Sequence, residues 1–531
     1  MKRIIIPILA LALACTACTD LNVTVKSELV PENFPLTQEQ FVAASGVIYT
    51  EFALGFADNY WLMAELSGDG FVLTANGGNW FDGGRYKELH YHDWNKNNPL
   101  ISSTWSWLYK TINSCNKVYS LLRDAEESEA KSTSIAELRT IRAFCYYLLI
   151  DNFGDVPLIR EFGEDLRARD KTDVVFDYIE SELQEALPAL KAENNQSTYG
   201  RPTQPAAYAI LAKLYLNAEK FTEQNRYNDA VAACDRVIAF ETQGLTELTP
   251  RDRFPKMFDF DNGPEFKELL LAIPYDENNL QSFKPSRYNF SIYHPTAWNY
   301  KFTVSSCMRT LPSHYDLYVE EGENNDIREQ VFLKEEQYLQ DGVTPMILPV
   351  TKVQLDSRYS GNDKDAIVSY HIRLTKEIEF RNVPNFDTGD DVSGRLAGYR
   401  SNKYPPSHTQ SGREQSNDFP VLRYADVLLM KAEAILRGAT PTNSETAVSL
   451  VNRIRERAGC KLRNSITLEQ LLDERAREFS LEAWRRNDLI RFGKYENTWL
   501  LKTDSDIRRR LYPIPEAEIR NNPLLEQNPG Y

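Results

Sequence analysis

Cysteine and histidine are scarce in this chain, with seven and six among 531 residues. Beyond residue 18 the cysteines are Cys115, Cys145, Cys234, Cys307 and Cys460. They are odd in number and never form a C-x-x-C pair, which excludes a disulfide scaffold and a zinc module. Cys145 and Cys234 fall on apolar helical faces and read as small buried hydrophobes. The histidines make no H-E-x-x-H pair. His90 and His92 are close together but have no third ligand at metal spacing. No G-x-S-x-G elbow and no phosphate-cradling glycine loop is present. Asp259-Phe260-Asp261-Asn262-Gly263 opens like a calcium loop, but Leu270 stands where its acidic closer belongs. Basic charge is also short. Against 76 Asp and Glu there are 61 Lys and Arg, a net charge of −15, the wrong sign for a nucleic-acid surface. No uncharged apolar run after residue 18 is long enough to span a bilayer.

The N-terminus carries the strongest local signal. Lys2 and Arg3 precede an apolar run from Ile4 to Ala14, and Thr16 and Ala17 come just before Cys18. A charged start, a short apolar run and small residues before a cysteine predict a secretory signal cleaved at a lipoprotein site. The mature chain would begin at Cys18, anchored by lipid rather than spanning the membrane. Cys15, preceded by Ala14, is the competing site. Residues 18–36, with Pro31 and Pro35, read as a tether between lipid and body.

Residues 37–531 read as one mostly helical domain. Its helical body covers 37–240 and 420–495, a loop-rich region covers 241–419, and an extended tail covers 496–531. Thr37 with Gln40 predicts a capping box, followed by the stripe Phe41, Ala44, Ile48 and Phe52. Further helices are predicted over 100–123, 136–153 and 173–187, the second stopped by Gly154 and Pro157. Tyr208, Leu211, Ala212 and Tyr215, then Ala230, Cys234 and Val237, repeat the two-helix apolar logic of a tetratricopeptide repeat with a lengthened turn. Residues 241–419 lose the 3.6 period, and only short alternating runs such as 366–372 suggest strands. Helical order is expected again from Phe419. One helix ends near Gly438 and one stops at Gly459. A third is capped by Thr467 and Gln470 and continues through Leu468, Leu472, Ala476, Phe479 and Ala483.

Five segments, in order, carry a family resemblance. They are Ile141-Arg142-Ala143-Phe144 with Asn152-Phe153-Gly154-Asp155-Val156-Pro157-Leu158; Gly200-Arg201-Pro202-Thr203 with Ala212-Lys213-Leu214-Tyr215-Leu216; Arg423-Tyr424-Ala425-Asp426-Val427-Leu428-Leu429-Met430 with Ala432-Glu433-Ala434; Asp473-Glu474-Arg475 with Glu478-Phe479 and Arg491-Phe492-Gly493; and Pro513-Ile514-Pro515 with Glu518-Ile519 and the closing Asn528-Pro529-Gly530-Tyr531. The series resembles the SusD/RagB family, with Cys145 and Pro202 as small departures. The resemblance implies a bundle of tetratricopeptide-like helix pairs with an irregular elaboration on one side. It also implies a nutrient-binding lipoprotein on the outer face of a Bacteroidetes outer membrane, packed on a TonB-dependent (SusC-like) transporter and binding a glycan for import. Arg142, Arg423, Asp426, Glu433, Asp473, Glu474 and Arg475 are expected to pair among themselves at helix junctions rather than to touch ligand.

Sugars present apolar C–H faces rimmed by hydroxyls, so a site needs aromatic platforms edged by polar side chains. Two segments, both expected as loops, offer this. Residues 76–94 hold Asn79, Trp80, Phe81, Asp82, Arg85, Tyr86 and Trp94 among glycines that allow close approach. Residues 287–302 hold Tyr288, Asn289, Tyr293, Trp298, Asn299 and Tyr300. The expected contacts are Trp80 and Trp298, with Asn79, Arg85, Tyr86, Tyr293 and Tyr300. No cofactor and no catalytic residue is expected. Peptide binding on the same fold is the nearest alternative. A glycoside hydrolase would need two opposed carboxylates about 5 to 9.5 Å apart.

Overall fold

The computed structural model describes residues 38–276, 278, 280, 283–319 and 325–531. The signal segment, Cys18, the tether and the Thr37 cap lie outside the described residues. The long helices are α1 (Gln38–Gly55), α2 (Pro99–Leu122), α3 (Glu129–Phe153), α4 (Thr172–Ala186), α5 (Gln204–Leu216), α6 (Tyr227–Glu241), α7 (Tyr424–Leu436), α8 (Ala447–Ala458) and α9 (Leu468–Glu478). Each packs on the next in sequence from α1 through α8, and α9 returns onto α7. This is a tetratricopeptide-like array in which each helix buries its apolar face on its neighbours.

Local chemistry sets the helix ends. The Ser128 hydroxyl accepts from Lys131 N at 3.1 Å to start α3, and Gly154 closes it at φ 74°. The Thr467–Gln470 box caps α9 as its sequence predicts. Close approach matters between α1 and α2: a Cβ at Gly55 would lie 2.3 Å from the Trp107 ring. The cysteines at 115, 145, 234, 307 and 460 are all buried. Glu39–Leu66 is long and apolar enough, by length and composition only, to cross a membrane, although Glu51 and Asp58 leave no uncharged run of that length. Here it is interrupted by a π turn at Phe56–Tyr60 and feeds Phe52, Phe56 and Trp61 into the main core.

Three expectations are corrected. Phe419–Arg423 is a strand, not a helix start, because it pairs antiparallel with Leu269–Ile273 before α7 begins. The third C-terminal helix stops at Glu478 instead of reaching Ala483. Leu481 and Ala483 take φ of 62° and 65°, while Trp61 Nε1 donates to Leu481 O and Ala483 N donates to Glu65 at 2.6 Å. These buried partners override the apolar period. The tail is less extended than expected, with short helices at Ile507–Arg510 and Glu516–Asn521. It is pinned to the body through Tyr512 N to Asn152 O and Tyr512 Oη to Ser67 Oγ.

The region 241–419 is irregular with short two-stranded ladders, among them Ile347–Thr351 with Ile367–His371. A satellite core of Tyr315, Tyr318, Phe332, Leu374, Leu396 and Tyr399 supports it. Arg328 ties this region to the helices, reaching Asp326, Glu474 and Glu478 at 2.7, 2.8 and 3.0 Å. The signature charges are paired, but with residues outside their own set rather than among themselves, apart from Asp426 with Arg475. Arg142 meets Glu182, Glu433 meets Arg437 and Arg491, and Asp426 is held by Lys213 and Arg475.

Candidate functional site

The strand Phe71–Leu73 pairs with Met308–Thr310 and delivers residues 76–84 to the irregular side. Asn76 and Asn79 exchange backbone hydrogen bonds at 2.9 and 3.3 Å around Gly77 and Gly78. Both glycines have positive φ, 60° and 85°, as a type I′ hairpin turn requires. Their amides donate to the two oxygens of Asp387 at 2.8 and 2.7 Å, so a distant carboxylate fixes the turn. A side chain at Gly77 would also meet Asp390 at 2.5 Å.

Trp80 follows this turn at φ 67°, and Asp82 at 47°. A positive φ at a bulky residue is an outlier that only surrounding structure sustains. Trp80 lies edge-on to Tyr288 at 5.6 Å and tilted against Tyr86 at 6.2 Å, with the Arg287 guanidinium 5.4 Å from its ring centre. It stays partly exposed. Asn79, Trp80 and Asp82 line one part of a cleft of about 390 Å³, with Arg287, Ile292, Ser305, Arg395 and Arg413 completing it. Arg287 Nε donates to Ser305 Oγ at 2.9 Å. Beneath the turn Arg309 is fully buried. It donates to Asn76 Oδ1 and Thr388 Oγ1 at 2.8 Å and to Ala397 O at 2.7 Å. Burial pushes its pKa down to about 10, which leaves it charged at neutral pH.

The expected residues divide between places. Trp80 and Asn79 line the cleft. Arg85 reaches the same cleft only through its ion pair to Asp82 at 2.5 Å. Tyr86 lies in the core behind Trp80, on the helix Arg85–Tyr91 that the sequence reading took for loop, and burial raises its phenol to about 12. Trp94 is core as well, its Nε1 donating to Tyr531 Oη at 2.8 Å. Trp298 belongs to a second cluster. Its Nε1 donates to Tyr338 O at 2.8 Å, and its ring packs on Phe290, His294 and Tyr300. Tyr300 stacks on His408 at 4.3 Å. Tyr293 packs against the satellite core. Among the described residues no ring pair joins the Trp80 and Trp298 clusters. Arg395, Arg413 and the anchoring Asp387 were missed, since they sit far along the chain in segments without period or motif. Among the described residues no group of His, Cys, Asp and Glu side chains forms a candidate metal site.

The fold is a helical-repeat array whose irregular face carries this cleft. Residues 267–531 match the family described as "SusD family", and residues 63–216 match one described as "Starch-binding associating with outer membrane". The chain belongs to the SusD/RagB family. It is 26% identical over 464 residues to the starch-binding protein SusD of Bacteroides thetaiotaomicron, spanning 81% of each chain. It is 26% identical to SusD-like protein P2 of Formosa agariphila across the whole of both. Among solved structures, surface glycan-binding protein A of Bacteroides thetaiotaomicron in complex with laminarihexaose superposes with a TM-score of 0.69 at 19% identity, over 93% of this chain and 100% of that one.

Proposed function

We propose that this protein captures an oligo- or polysaccharide at the cell surface and passes it, unhydrolysed, to a TonB-dependent outer-membrane transporter. The observation that carries the reading is Trp80: a partly exposed indole held at a strained φ beside Asn79, in a cleft with polar edges. That is the chemistry a sugar's apolar face and hydroxyl rim call for. A family relative named for starch binding and a similar fold solved with laminarihexaose support it. Among the described residues lining the cleft, Asp82 is the carboxylate and is engaged by Arg85, where hydrolysis would call for two opposed carboxylates. Trp298 and Tyr300 form a separate aromatic cluster that offers a second contact surface, while Tyr86 backs Trp80 from the core.

Anchoring belongs to the same reading. Lipid at Cys18 holds the protein to the outer membrane, facing out. Radiolabelled palmitate is expected to enter the wild type and not Cys18→Ala; equal labelling of the two would move the anchor to Cys15, and no labelling of the wild type would remove it.

The binding test is titration calorimetry of the chain from Thr19 onward against a panel of oligosaccharides, with chromatography of the sugar afterwards. Saturable binding with the sugar recovered intact is the expected result. Shortened products, or no binding to any member, overturn the proposal.

A further inference from the structure

The cleft's charge runs against that of the whole protein. The chain carries 76 acidic residues against 61 Lys and Arg, yet the charged residues lining the cleft are Arg287, Arg395, Arg413 and only Asp82. The acid there is already spent on Arg85, and Arg395 is paired with Asp390. Arg287 and Arg413 have no carboxylate partner among the described residues. Elsewhere, several buried arginines are matched by carboxylates: Arg423 faces Glu268, Glu478 and Glu482, and Arg475 faces Asp426 and Asp488.

Arg287 is held as a receptor for an anion. Its guanidinium lies 5.4 Å from the centre of Trp80 and 5.3 Å from that of Tyr288, and Nε is used on Ser305 Oγ at 2.9 Å. The two terminal nitrogens have no protein partner among the described residues. A guanidinium fixed by stacking, with its fork free, suits bidentate capture of a carboxylate or sulfate. Behind the wall, Arg309 spends its donors on Asn76, Thr388 and carbonyl oxygens. Arg400 beneath it likewise donates only to carbonyls, those of Arg395, Ala397, Gly398 and Tyr399. Neither forms an ion pair among the described residues; Asp387, held by the Gly77 and Gly78 amides, offsets part of the Arg309 charge, and the remaining buried cationic charge raises the potential of a low-dielectric cleft toward anions.

We infer that the cleft selects an anionic saccharide, in which a sugar face rests on the exposed part of Trp80 while a uronate carboxylate or sulfate ester meets Arg287, with Arg413 as a second cation. This deepens the proposed glycan capture and rests on it.

The test is affinity gel electrophoresis of the soluble chain in gels cast with polygalacturonate, alginate and carrageenan, each beside its carboxyl-reduced or desulfated derivative, and with laminarin as a neutral polysaccharide. The expected result is retardation by at least one acidic polysaccharide, weakened at least about tenfold when its anionic groups are removed and weakened by added salt. Retardation by a carboxylate or by a sulfate polymer tells the two groups apart. Arg287→Gln and the exposed Arg413→Gln are expected to lose this preference with unchanged melting temperatures. Retardation by laminarin alone, indifference to removal of the anionic groups, or variants that keep the preference overturns the inference and leaves glycan capture standing. Retardation by no polysaccharide overturns both.

Discussion

Replacing Arg423 by methionine is expected to destabilise the protein by about 3–5 kcal/mol, the cost of breaking a buried ion pair from one side. Arg423 is 1% exposed. Its Nη1 meets Glu268 at 2.5 Å and Glu478 at 2.8 Å, and Nε and Nη2 meet the two oxygens of Glu482 at 2.8 Å. Nη2 also donates to Glu478 O at 2.8 Å. Methionine fills much of the volume but leaves three buried glutamates short of a cation. Lys403, Arg328 and Arg457 remain to take up part of the charge, which keeps the loss inside that range. Acid should reproduce the effect. Burial alone would raise the Glu478 pKa, but Arg457, Arg423 and Arg328 outweigh burial and hold it below the ordinary glutamate range. A depressed native pKa stabilises the fold above the unfolded value, near pH 4.3, and the stabilisation is lost as pH falls from there toward the native pKa. Urea midpoints at pH 7 and pH 3.5 check both arms. A loss under about 1 kcal/mol at pH 7 would mean the network rearranges around the gap.

The same network explains why the fold was legible. Arg423, Glu478 and Arg475 sit at helix junctions, and the signature segments that hold them mark where the helices lie, though not where they start or stop. The apolar period of α2 to α6, the Thr467 box and the Gly154 and Gly459 stops needed no tertiary information. The departures share a cause. Phe419–Arg423 became a strand because Leu269–Ile273, some 150 residues earlier, supplies its partner. Residues 479–483 left the helix because Glu65 and Trp61, over 400 residues away, bind their backbone. The site was half legible for the same reason. Trp80 and its glycines lie in one run, but Asp387, Arg395 and Arg413 come from a region without period. Tyr86 and Trp94 read like platform residues because an aromatic beside glycine gives no sign of which way it faces. The structure turns both into the core.

Trp80 and Trp298 look equivalent in the sequence, but they should fail differently when truncated. A pyranose face resting on Trp80 removes roughly 60–80 Å² of apolar surface from water, worth about 1.5–2 kcal/mol at 25 cal/mol per Å². Trp80→Ala should therefore weaken the cognate saccharide by about 10- to 30-fold. Its melting temperature should hardly move. The ring is partly exposed, its indole nitrogen makes no hydrogen bond to protein among the described residues, and the turn before it is fixed by Asp387 rather than by the indole. Trp298 is built in. Its Nε1 bonds Tyr338 O, its carbonyl accepts from Gln340 Nε2 at 2.7 Å, and Phe290, His294 and Tyr300 surround its ring. Trp298→Ala should cost about 1–3 kcal/mol of stability through lost packing. Its effect on affinity should be smaller than that of Trp80→Ala. Calorimetry with thermal melts on both variants separates the two roles. If Trp298→Ala melts like wild type and loses most of the affinity while Trp80→Ala binds normally, the ligand lies on the 290–302 segment and the Trp80 cleft is not its seat.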